Sequence, residues 1–135
     1  MYLVDTNIFL EVLLARGRRR ECKEFLKLLR DGRVDGIVTD FTLHSIIVLM
    51  DHLKKLDELK IFLSSLRGYK GLHVYTTSLI DEVNAVDVAV ENGLDMDDAI
   101  QYAVALKLNV KAIVSFDKHF DNLKIPRLEP SKIGS

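Results

Sequence analysis

Cysteine is almost absent from this chain. Its single cysteine, Cys22, can form no internal disulfide and has no companion at zinc-ligand spacing, so a disulfide framework and a sulfur-ligated zinc site are both excluded. Packing is its expected role. Long apolar runs are also missing. No stretch approaches ~18 residues and no cationic leader precedes an apolar segment, so neither a membrane span nor a signal peptide is expected and the location reads as cytoplasmic. Proline occurs only as Pro126 and Pro130, which mark an irregular tail from about residue 129. No glycine-rich phosphate loop occurs, which argues against a nucleotide switch. Neither charge is in excess: 19 Lys and Arg against 20 Asp and Glu give a net charge of -1, so any polyanion would need a local basic patch.

What is present is a regular alternation. At 135 residues, with 48% hydrophobic content, the chain is the size of one domain, residues 1–135, with a buried core. Tyr2 to Val4, Gly36 to Thr39, Leu72 to Thr76 and Ala112 to Phe116 have strand length and β-forming composition, and a short fifth strand is expected around Lys124 to Arg127. Between them the periodicity predicts helices over Ile8 to Ala15 and Arg19 to Arg30, broken at Gly17, then Phe41 to Lys54, Leu56 to Leu66, Ser78 to Asn92 and Asp95 to Leu108. Strands alternating with helices predict an α/β fold with a central parallel sheet of four to five strands flanked by helices.

In such a sheet, ligands bind at the carboxyl ends of the strands. Three acids fall there. Asp5 follows the first strand in MYLVDTNIFL, Asp117 follows AIVSF, and Asp98 lies in the first turn of the helix before that last strand. Each has a plain structural reading: Asp5 as a helix cap, Asp98 as a dipole partner, Asp117 as a turn former. If they converge, their mutual repulsion calls for a cation, and oxygen donors suit Mg²⁺ or Mn²⁺ rather than zinc. Such a metal can polarise a phosphodiester, activate water and stabilise the leaving oxygen. Thr6 or Asn7 is then expected to serve the helix end while Asp5 faces the cluster, and Asp40 to cap the helix beginning at Phe41. The histidines form no spaced ligand set, and His44 reads as structural or surface.

VDTNIFL, DDAIQYAVAL and IVSFDKHF, in this order and spacing, resemble the PIN-domain family, and the length resembles its VapC-type toxins. The resemblance covers Met1 to about Leu128. It implies a Rossmann-like PIN fold and an Mg²⁺- or Mn²⁺-dependent ribonuclease. Asp5, Asp98 and Asp117 match the first, third and fourth acidic positions. Thr6 and Asn7 match their polar neighbours, and Ser115 the small hydroxyl residue before the last acid. Asn7 would orient a carboxylate or a water on the metal, and Ser115 would hydrogen-bond the site. The second acidic position departs from the pattern: Ser45 stands where a glutamate is expected, and no glutamate occurs from Asp31 to Asp57. One negative charge is therefore missing.

The run ARGRRR places Arg16, Arg18, Arg19 and Arg20 at the junction of the first two helices. A solvated helix start explains it, and so does an edge that contacts RNA phosphates. The helices from Ile8 to Leu29 and from Phe41 to Leu66 carry more large aliphatics than one buried face requires, which marks association surfaces. The resemblance further implies a cognate antitoxin bound in a groove of the first helices, and a homodimer or higher oligomer. The expected function is thus a metal-dependent endoribonuclease, the toxin of a VapBC-type toxin–antitoxin pair. The alternatives are a PIN domain that binds RNA or protein without cutting, and a small phosphate-ester hydrolase.

Overall fold

The structure, a computed structural model, describes residues 1–134. Its strands are β1 (Tyr2–Val4), β2 (Gly36–Thr39), β3 (Leu72–Tyr75), β4 (Ala112–Val114) and β5 (Arg127–Leu128). They form one sheet in the order β3-β2-β1-β4-β5, and every neighbouring pair is parallel. The helices are α1 (Thr6–Leu13), α2 (Arg19–Arg30), α3 (Asp40–His52), α4 (Leu56–Leu66), α5 (Leu79–Asn92) and α6 (Met96–Leu108).

Period-two alternation in the central strands builds the core on both faces of the sheet. Val4 and Val114 point into one cluster with Ile8, Phe9, Phe25, Leu29, Ile46 and Met50 from α1, α2 and α3. Their neighbours Leu3 and Ile113 point into the other, with Tyr102 and Val104 of α6 and with Phe120. Strands so enclosed must be apolar throughout, which is why these short runs were visible in the sequence.

Polar side chains immediately before the helices start them. Thr39 caps α3 by accepting the Thr42 N–H, Ser78 caps α5 with a reciprocal capping box to Asp81, and Asp95 caps α6 by accepting the Asp98 N–H. Asp40 is therefore not the cap of α3. It is the first helical residue, and its Oδ1 instead accepts from the Phe41 N–H and from both the N–H and hydroxyl of Thr77, tying α3 to the segment after β3.

Three other boundaries shift for local reasons. The break between α1 and α2 falls at Ala15, which takes a left-handed φ of 52°, rather than at Gly17. The fourth strand stops at Val114 because the next residues turn toward the site. The fifth lies at Arg127–Leu128, not from Lys124, because the Lys124 N–H is taken by the Tyr102 hydroxyl and Pro126 has no N–H to give. No described helix is long and apolar enough to cross a membrane.

Candidate metal centre

The carboxyl ends of β1 and β4 and the N-terminus of α6 meet over one cavity of about 210 Å³, which Asp5, Asp98 and Asp117 all line. Parallel strands put their carboxyl ends on the same edge, so residues 93 and 19 positions apart in sequence share this opening. Thr6, Asn7, Ser45, Asp97 and Gln101 complete its polar wall, and no Lys or Arg contributes to it.

Asp5 is buried and its two oxygens divide their work. Oδ1 accepts the Thr6 N–H at 2.8 Å, so Asp5 itself caps α1. Oδ2 accepts from the Ser115 hydroxyl at 2.6 Å and from Asn7 Nδ2 at 3.1 Å. The expectation that Thr6 or Asn7 would take over the capping is thus corrected: Asp5 does both. Ser115 passes the connection on, since its Oγ accepts the Asp117 N–H at 2.9 Å. Asp117 then caps a single 3-10 turn, Lys118–Phe120, by accepting the His119 N–H at 2.9 Å.

That turn brings in a residue that sequence reasoning missed. His119 Nδ1 lies 3.1 Å from Asp98 Oδ2 and 3.2 Å from Asp117 Oδ1. Sequence spacing hid it because its partner Asp98 is 21 residues away; the visible signal was an Asp two residues before a His in a turn-forming run.

The electrostatics are those of crowded like charges. Burial raises the carboxyl pKa of Asp5, and the charge of Asp117 adds to this against the opposing hydrogen bonds from Ser115 and Thr6. Asp98 is pushed up to about 6, first by burial and then by the charges of Asp117 and Asp95. His119 is raised by its hydrogen bond to Asp98 and the charge of Asp117. One acceptor here is also left over: Asn7 Oδ1 is buried without a hydrogen-bond donor. Clustered carboxylates and an orphaned acceptor beside them fit a hard divalent cation and its waters. Asp98, Asp117 and His119 each offer a donor atom within 4.8 Å of the others, with Asp5 on the inner side.

Ser45 also lines the cavity, and its hydroxyl donates to the Phe41 carbonyl of its own helix at 3.0 Å. The wall beside it is neutral. Thr39 donates to Gln101 Oε1, Gln101 Nε2 donates to the Thr42 hydroxyl, and that hydroxyl pairs with Thr6. His44 is exposed and lines a separate groove with Val48 and His52.

The arginines divide as well. Arg18 is bound to Glu21 and Glu129 at 2.6 and 2.7 Å and lies 4.1 Å over the Phe116 ring. Arg19 donates to the carbonyls of Ala15 and Arg16. Only Arg16 and Arg20 of the four are exposed without a recorded side-chain partner.

Fold and site together define a parallel α/β domain with a carboxylate pocket at the carboxyl edge of its sheet. The PIN domain family matches residues 2–126, and the chain belongs to that family. Among solved structures, it is similar to VapC20 of Mycobacterium tuberculosis, a sarcin–ricin loop cleaving toxin, with a TM-score of 0.77 and 17% identity over 96% of this chain and 100% of that one. A toxin–antitoxin complex from Klebsiella pneumoniae gives 0.72 and 20% over 96% and 98%. VapBC2 of Rickettsia felis, bound to a DNA fragment from its promoter, gives 0.68 and 17% over 95% and 96%. No curated protein sequence matches.

Proposed function

We propose that this chain is a divalent-metal-dependent endoribonuclease of the cytoplasm and the toxin of a VapBC-type pair, with Asp5, Asp98 and Asp117 as its metal-binding acids. The observation that carries this is their convergence on one cavity whose wall contains no Lys or Arg. Family membership and the similarity to toxins and toxin–antitoxin complexes support it. Mg²⁺ or Mn²⁺ held there supplies Lewis-acid activation of the phosphodiester and of water.

The chain's own groups prepare that site. Ser115 and Asn7 hold Asp5 Oδ2 in one orientation, which leaves its carboxylate little freedom to lose on binding. Asp117 is fixed through its N–H to Ser115. Exposed Arg16 and Arg20 offer charges to an RNA backbone.

Two apolar surfaces suit the expected partners. A groove of about 330 Å³ between α1, α2 and α4, lined by Phe9, Val12, Leu26, Ile61 and Phe62, suits an antitoxin helix. Leu79, Val83, Val86 and Val90 form an exposed stripe along α5 suited to a second copy.

Purified antitoxin-free protein, offered single-stranded and structured RNA with Mg²⁺ or Mn²⁺, is expected to cleave, to stop on chelation, and to lose ~100-fold or more with Asp5→Asn. Folded protein that cuts no RNA sinks the proposal. If it binds RNA without cutting, the chain is instead a binding module, a reading favoured by the self-bonded hydroxyl of Ser45.

A further inference from the structure

We propose that His119 is itself a metal ligand, and that its nitrogen makes this site prefer Mn²⁺ to Mg²⁺. The inference deepens the nuclease reading and rests on its metal dependence. Asp98, Asp117 and His119 present one donor atom each within 4.8 Å of one another. The two separations from His119 Nδ1, 3.1 and 3.2 Å, are polar contacts that need little change to hold one ion, since adjacent donors of an octahedral ion with bonds of ~2.1 Å lie ~3 Å apart.

The ring is placed by its backbone. The His119 N–H is bonded to Asp117 Oδ1, and the next residue, Phe120, is fully buried and anchors the turn. The imidazole stays 70% exposed, so an ion can reach it from solvent. The opposite wall of the cavity has no charge to compete, because the Ser45 hydroxyl is committed to Phe41 and the chain of Thr39, Gln101 and Thr42 is neutral. The anionic and basic donors therefore lie on the Asp98, Asp117 and His119 side. Asp98 and Asp117 line the cavity of Asp5 and Asn7, and His119 flanks it through Asp98, with which it lines an adjoining hollow.

The donor set has a chemical consequence. Mg²⁺ favours oxygen and sheds water reluctantly, whereas affinity for imidazole nitrogen rises along the transition series. Replacing a family carboxylate at one flank by a histidine at the other moves the site toward Mn²⁺.

The test uses RNA-free, full-length protein titrated calorimetrically with MnCl₂ and with MgCl₂, together with pulsed EPR of the Mn²⁺ form. Wild type is expected to bind Mn²⁺ ~10-fold or more tighter than Mg²⁺ and to show nitrogen coupling that changes on ¹⁵N-histidine labelling. His119→Ala and His119→Gln, with unchanged melting curves, are expected to lose the coupling and ~10-fold in Mn²⁺ affinity while Mg²⁺ affinity moves less than ~3-fold. Mn²⁺ bound without nitrogen coupling, or an unchanged Mn²⁺ to Mg²⁺ ratio in both variants, overturns the inference alone. Folded protein that binds neither ion overturns the metal dependence of the proposed function as well.

Discussion

Asp81 and Asp98 are almost equally hidden from solvent and titrate in opposite directions. They are 6% and 8% exposed, and each is the third residue of its helix with its N–H bonded to the cap. Asp81 faces Lys107 Nζ at 2.8 Å and the Tyr75 hydroxyl at 2.7 Å, and accepts the Ser78 N–H, so its carboxyl is held well below the usual range. Asp98 is raised to about 6, first by burial and then by the charges of Asp117 and Asp95, against the hydrogen bond from exposed His119. Desolvation weighs first on Asp98 and its acidic neighbours add to it, whereas at Asp81 the bonds from Lys107 and Ser78 outweigh desolvation. One carboxylate closes a clasp between β3, α5 and α6, and the other holds charge that the fold alone does not compensate.

Exchanging each acid for its amide sharpens this contrast most. Asp98→Asn is expected to abolish RNA cleavage by ~100-fold or more. It should also stabilise metal-free protein at pH 7.5 by on the order of 2 kcal/mol in urea unfolding, because the native state no longer carries a strained charge. Asp81→Asn should do the reverse, lowering stability in urea unfolding through the weakened bonds to Lys107, Tyr75 and Ser78, and leaving cleavage within ~3-fold.

The pH profile gives the next largest effect. Between the unfolded value near 3.9 and the native value of about 6, native Asp98 binds more proton than the unfolded chain. Its contribution to stability is therefore present at low pH and lost as pH rises through about 6. Native His119 is also raised, so its contribution is present below the unfolded value near 6.5 and lost at higher pH. The stability of Asp98→Asn relative to wild type should climb from pH 4 to 7 in denaturant melts, and saturating Mn²⁺ should flatten that climb. Asp81 acts oppositely, its stabilisation being lost only as pH falls below ~4.

Ser45→Glu should make the two acids still less alike by adding charge to the neutral wall, tightening Mg²⁺ by ~3- to 10-fold in calorimetry. The smallest expected change is electrostatic. Arg16→Ala and Arg20→Ala should each reduce the salt slope of single-stranded RNA binding by ~0.7, whereas Arg18→Ala, whose guanidinium is already committed to two glutamates, should leave it unchanged.

The sheet and helices were legible because both central strands are enclosed on two faces and must read as pure apolar runs, while α2 buries Cys22, Phe25, Leu26 and Leu29 on one face with charges opposite. Apart from the helix break at Ala15 and the early end of β4, the placements that failed turn on side-chain to backbone bonds that leave no periodic trace. Asp40 and Thr39 exchange roles at one helix start, and the Tyr102 hydroxyl takes the N–H of Lys124. The three acids could be placed at strand and helix ends by topology. His119 could not, because only the 3-10 turn folds it back onto Asp98. The commitment of Arg18 to Glu129 is equally invisible, since 111 residues separate them.

The bond from Ser115 to Asp5 Oδ2 joins positions 110 residues apart. While the chain is being made, its first strand leaves the ribosome long before β4 exists to pair with it, at roughly 5–20 residues per second. For that interval Asp5 has neither Ser115 nor Asp117 beside it. The pocket closes only once residues through Asp117 have emerged and β4 has docked, so a nascent or prematurely ended chain lacks the assembled site even where its helices have formed.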